Sequence, residues 1–148
     1  MADIAVIHGP NLNMLGKREP EIYGAMEFDQ LNEAIRRMGE QLGHNVQIFQ
    51  SNHEGAIVDY IQGLSGKSNA IVINPGAFTH TSIAIRDALL AVGIPVIEVH
   101  MSNIHKREKF RTKSYICDIA LGSIIGFGAQ SYLLALAALS GVLGGQKQ

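Results

Sequence analysis

The chain has 148 residues, 47% of them hydrophobic, with 12 Lys and Arg against 13 Asp and Glu. That length fits one domain, 1–148, burying roughly 70% of its unfolded surface, and the near-zero net charge lacks the positive field that non-specific nucleic-acid binding needs, so no nucleic-acid partner is expected. The most apolar stretch, 132–143, is broken by Ser140 and Gly141 and falls short of the roughly 20 residues of a membrane span, so no membrane partner is expected either.

The first apolar run, 4–7, reads as a strand closed by Gly9. A polar, glycine-punctuated loop then carries Asn11, Asn13, Lys17, Arg18, Glu19, Glu21 and Tyr23 to a helical pattern beginning near Glu27. Loops this long are usually functional or disordered. Leu12, Met14, Leu15 and Ile22 are interleaved along it as anchors, which predicts an active-site lid over about 10–26. Residues 28–42 place Leu31, Ile35, Met38 and Leu42 at helical spacing, and Gly43 stops the helix. The run 46–49 reads as a second strand, and 56–64 as a helix with Ile57, Tyr60, Ile61 and Leu64 on its apolar face. A third strand, 70–73, precedes a helix over 82–92 with Ile83, Ile85, Ala88, Leu89 and Val92 inward, ended by Gly93, Ile94 and Pro95. The run 95–99 is a fourth strand and 123–127 a weaker fifth, while 132–143 reads as a core or subunit-packing helix. The first four strands are β-branched and read as buried. Cys117, the one cysteine, has apolar neighbours and reads as a small buried hydrophobe. It cannot make an internal disulfide, and the first residues show no secretory pattern, so a cytoplasmic protein is expected. Strand and helix alternate throughout, which predicts an α/β fold: a flavodoxin-like three-layer α/β/α sandwich with a five-stranded parallel sheet.

In open parallel sheets ligands bind beyond the carboxyl ends of the strands, where the strand order reverses. The polar residues concentrate there, in loops 9–24, 74–82 and 100–105. In the second loop, Thr79, Thr81 or Ser82 caps the following helix, or the helix start receives an anion. His80 falls in the first turn of that helix, where the positive end favours a neutral imidazole, and it reads as a substrate contact. Glu98 and His100 stand two apart on a strand and so share a face, where a carboxylate orients an imidazole for work as a general acid or forms a structural pair. His105, followed by Lys106, Arg107 and Lys109, reads as surface on a short exposed helix. Tyr23 is a poor base at its ordinary pKa near 10, but the guanidinium of Arg18 in the same loop favours a phenolate. Arg111 offers a second cationic contact. A flavin-binding or signalling module on the same scaffold would want a Ser/Thr-rich or acidic loop after the first strand, where this chain has His8, Gly9, Pro10 and Asn11.

Five blocks, GPNLNMLGKREPEIYG at 9–24, QSNHEGAIVDYIQ at 50–62, NPGAFTHTSIAIRDAL at 74–89, IEVHMSNIHKREKFRTKSYI at 97–116 and GFGAQSYLLAL at 126–136, together resemble the type II 3-dehydroquinate dehydratases of the shikimate and quinate pathways. The resemblance implies reversible dehydration of 3-dehydroquinate to 3-dehydroshikimate through an enolate, with no metal, cofactor or lysine Schiff base. It implies Tyr23 as the base, held as phenolate by Arg18, and His100, oriented by Glu98, as the acid. Asn11 would position a water at the enolate oxygen. Asn74, Ser102 and the backbone around Met101 would hold the substrate carboxylate, and His80 and Arg111 the ring hydroxyls. Asp87 would reach the site from a neighbouring subunit, in a homododecamer built as a tetramer of trimers. His8 stands where many members have Asn, a change expected to bear on how the lid's base is fixed.

Overall fold

Five strands, β1 (Asp3–His8), β2 (Asn45–Gln50), β3 (Ala70–Asn74), β4 (Val96–His100) and β5 (Gly122–Ile125), lie parallel in the order β2-β1-β3-β4-β5. This is the architecture in a computed structural model, which describes residues 1–23 and 25–145, Tyr23 by its backbone alone. The helices are α1 (Pro20–Tyr23), α2 (Phe28–Gln41), α3 (Glu54–Gly63), α4 (Ile83–Val92) and α5 (Gln130–Gly145). The flavodoxin-like sandwich is thus present, with each expected strand within two residues of its place at either end.

The two-residue period of a strand divides the apolar residues between two cores. Ile4 and Val6 of β1 join Val72 and Val99 against Leu31 and Ile35 of α2 and Tyr132 and Leu136 of α5. Ala5 and Ile7 point the other way, with Ile71 and Ile73, against Ile57 and Ile61 of α3 and Ile85 and Leu89 of α4. Each of the large aliphatic side chains contributes roughly 1.5–3 kcal/mol relative to exposure. No helix among the described residues is long and apolar enough to cross a membrane.

Four expectations change. Residues 46–49 are not buried: β2 is an edge strand whose residues are exposed or half-buried. Ile83 stands out on the far side of α4, while Ile85 takes the inward position. The fifth strand ends at Ile125, because Gly126 at φ 98 turns the chain back and donates its N–H to the His100 carbonyl. Cys117 is exposed, since the turn it occupies is pinned by Ser114 Oγ, which accepts from its N–H at 3.0 Å, and Ile116 supplies the buried side chain.

The strand register brings the carboxyl ends together: His8 pairs with Asn74 across β1 and β3, and Ile73 with Glu98 across β3 and β4. The order reverses between β1 and β3, so the crevice opens above Gly9 and Pro75. Gly9 is required there, because an added Cβ would stand 2.3 Å from the Pro75 carbonyl oxygen. Its N–H donates to the Asn74 carbonyl at 2.8 Å, tying the two loops.

Candidate active site

A cavity of about 130 Å³ sits at this edge, lined from β1's loop by Asn11, Leu15 and Arg18, from β3's loop by Asn74 and His80, and from β4's end by His100, Met101, Ser102, Arg107 and Arg111. All three predicted loops therefore converge. Three guanidinium groups face it, which favours an anionic ligand. Among the described residues, no group of three or more His, Cys, Asp or Glu side chains is placed to hold a metal ion.

Glu98 and His100 form the pair expected from their spacing. His100 Nε2 lies 2.6 Å from Glu98 Oε2, with side chains only 6% and 1% exposed. The carboxylate is a hub: Thr79 Oγ1 donates to Oε2, and Ser114 Oγ lies 2.9 Å from Oε1. Burial alone pushes the Glu98 carboxyl up, but the bond and charge of His100 and the hydroxyls of Thr79 and Ser114 outweigh it, and the net result lies below the ordinary 4.5. Glu98 is thus ionised and accepts only, so His100 carries hydrogen on Nε2, and Nδ1 is the nitrogen left to exchange a proton.

His80 does not sit in the first turn of α4. It ends a 3-10 segment, Gly76–His80, ahead of the helix, and Ser82 is the cap, accepting from Ile85 N–H at 2.9 Å. Its imidazole still favours the neutral form, for other reasons: burial first, then the charges of His100 and Arg111, against the bond to Lys113 that raises it. His80 Nδ1 lies 2.7 Å from the Lys113 carbonyl oxygen, so it is the donor nitrogen and Nε2 is an acceptor suited to a hydroxyl.

Asn74 lines the cavity with its amide fixed, Oδ1 accepting from Gly76 N–H at 3.1 Å and Nδ2 donating to Tyr132 Oη at 2.9 Å. Asn11 has a left-handed backbone, φ 69, which asparagine tolerates, and its N–H donates to Asn52 Oδ1 at 3.0 Å. Met101 is buried with its carbonyl accepting from Gly128 N–H, and Ser102 Oγ accepts from Arg107 at 3.3 Å. Arg111 donates to Glu108 at 3.0 Å and lies over the Phe110 ring. Arg18 lines the cavity and, like Arg107, approaches Glu19 Oε2 at 3.8 Å. The side chain of Tyr23 lies outside the described residues, as does Gly24. Asp87 is exposed on α4 and does not line the cavity of its own chain.

Sequence reasoning missed Arg107, which belongs to the cavity and not to an exposed basic helix; neighbouring His105 is exposed as expected. It also missed Ser114; of the three cap candidates Thr79, Thr81 and Ser82, Ser82 caps the helix, while the Thr79 hydroxyl serves Glu98. His8 points into the core, where its ring nitrogens meet Tyr132 and Asn32.

The family model described as Dehydroquinase class II matches residues 2–140. The 3-dehydroquinate dehydratase of Geotalea daltonii is 59% identical over 136 residues, covering 92% of this chain and 94% of the relative. Among solved structures, the type II dehydroquinase from Butyrivibrio crossotus aligns with TM-score 0.91 at 46% identity, over 93% of this chain and 97% of that one. The type II dehydroquinase from Propionibacterium acnes aligns with TM-score 0.91 at 41% identity, over 95% and 97%.

Proposed function

The chain belongs to the class II dehydroquinases, and we propose on that premise that it removes water from 3-dehydroquinate by trans elimination through an enolate. It is a hydro-lyase of the shikimate pathway. The observation that carries the mechanistic reading is the buried Glu98–His100 pair facing a cavity rich in guanidinium groups.

The reaction needs a base beside the ketone and an acid beside the departing hydroxyl. Tyr23, as a phenolate favoured by Arg18, takes the proton next to the ketone, and the electron pair moves onto the carbonyl oxygen. Asn11 holds a water against that enolate oxygen. The enolate then collapses, the carbon–oxygen bond of the hydroxyl breaks, and His100 gives its Nδ1 proton to the leaving group, which departs as water. Glu98 supports this role by holding the positive imidazolium. Asn74, Ser102 and the backbone at Met101 hold the carboxylate, and the neutral Nε2 of His80 accepts from a ring hydroxyl with Arg111 beside it. The segment 10–26 serves as the lid that brings Tyr23 to the site.

Asp87 acts in a neighbouring subunit's site within a homododecamer of trimers. Its exposed place on α4, flanked by the exposed apolar Ile83 and Leu90, supports a subunit contact on that face. The protein works in the cytoplasm, with no metal or cofactor.

The test is Tyr23→Phe, which keeps the ring and removes the ionisable hydroxyl. The expected outcome is a kcat lowered by about 10²–10⁴ with little change in substrate binding. Near-normal turnover would remove Tyr23 from the base role.

A further inference from the structure

Behind Asn74 a chain of hydrogen bonds runs from the cavity into the core. Asn74 Nδ2 donates to Tyr132 Oη at 2.9 Å, Tyr132 Oη lies 2.9 Å from His8 Nδ1, and His8 Nε2 lies 2.9 Å from Asn32 Oδ1. The four residues come from β3, α5, β1 and α2, and all are buried. A polar chain at this depth is costly unless every member is satisfied.

Donor counting fixes the direction of each bond. An amide oxygen only accepts, so His8 carries its hydrogen on Nε2 and gives it to Asn32. Nδ1 is then a lone pair, which the Tyr132 hydroxyl fills with its one hydrogen. Tyr132 Oη can therefore face Asn74 only as an acceptor, and it takes Nδ2 rather than Oδ1. From the other side Gly76 N–H holds Oδ1. The amide has one allowed orientation, with the second hydrogen of Nδ2 left over for the cavity. Burial keeps His8 neutral, its pKa lowered from 6.5 to about 4, so this polarity persists through the neutral range.

We infer that His8 and Tyr132 are positioning residues for substrate recognition, holding the Asn74 amide with its N–H toward the ligand carboxylate. The inference rests on the reading of Asn74 as a carboxylate contact. Without the relay the Gly76 N–H alone holds the amide, through Oδ1, and Nδ2 loses the acceptor that keeps its second hydrogen aimed at the anion. A contact made equally to substrate and transition state is lost in KM, not in kcat.

The experiment is a double-mutant cycle of Tyr132→Phe and Asn74→Ala, with KM and kcat measured on 3-dehydroquinate. Tyr132→Phe alone should raise KM about tenfold, the value of one hydrogen bond to a charged group, and leave kcat within about threefold. In the Asn74→Ala background the same substitution should change KM no further. An equal rise in both backgrounds would overturn the relay, because Tyr132 would then act elsewhere. If Asn74→Ala leaves KM unchanged, the reading of Asn74 fails and the relay with it, while the dehydratase activity stands. Should Tyr132→Phe not fold, His8 decides in the same two backgrounds. His8→Leu removes the acceptor of the Tyr132 hydroxyl and should raise KM; His8→Asn restores an acceptor near the Nδ1 position and should return KM to within about threefold of the parent. Equal KM for Leu and Asn at this position would contradict the inference.

Discussion

Acid should weaken this fold in part through the buried His8 imidazole, and replacing His8 by Asn should remove that part. Burial lowers the His8 pKa from 6.5 to about 4, against the opposing bond to Asn32. In the unfolded chain the ring takes up a proton near pH 6.5; in the folded protein it resists until about pH 4. Between those values the unfolded state holds more protons, so stability is fully present above pH 6.5 and is lost as the pH falls toward 4. At about 1.4 kcal/mol per pH unit the loss across that window comes to roughly 3 kcal/mol. With an m-value of about 2 kcal/mol/M, that is a fall of about 1.5 M in the urea midpoint. The assay is urea unfolding of the wild type and of His8→Asn from pH 7 down to about 4, at one protein concentration because assembly shifts apparent stability. Glu98 and the other carboxylates titrate in both proteins and cancel in the difference. The wild type should lose stability more steeply by roughly 3 kcal/mol. Parallel curves for the two proteins would refute the reasoning, since His8 would then carry no buried neutral charge state.

The remaining predictions concern the site. Gly9→Ala places a Cβ 2.3 Å from the Pro75 oxygen, and the forced shift should cost about 1–3 kcal/mol in thermal unfolding and depress kcat; unchanged stability would deny the close approach. Glu98→Gln brings amide hydrogens into a pocket where His100, Thr79 and Ser114 already donate, so kcat should fall about 100-fold with KM nearly constant, and full kcat would remove Glu98 from catalysis. For Asp87→Ala the expected outcome is a raised KM, and no effect on either KM or sedimentation would count against a shared site. Borohydride added with substrate should not inactivate the enzyme, because no imine forms; time-dependent inactivation with a lysine adduct would sink the enolate route.

The central strands were legible because β1, β3 and β4 are short β-branched runs bounded by glycine, proline and polar loops. Edge position was not: 46–49 has the composition of a buried strand, and only the sheet order leaves β2 half-exposed. Within the site, the Glu98–His100 pair follows from the strand period alone, a local rule. Thr79, Ser114 and Arg107 do not, because their convergence on Glu98 and Ser102 depends on how loops from different strands settle over one another. Arg107 in particular sits in a run of charges, and such runs usually face solvent. Cys117 misleads for a related reason: its apolar neighbours suggest burial, but a single hydroxyl from Ser114 holds the turn that turns it outward. His8 and Tyr132 are 124 residues apart, and nothing local joins them.

The most direct test of the function is the ultraviolet absorbance of purified protein mixed with 3-dehydroquinate in chelator-treated buffer, which follows the conjugated enone of 3-dehydroshikimate. The account predicts a rise proportional to enzyme and unaffected by chelator. Folded, oligomeric protein that produces no rise would contradict it.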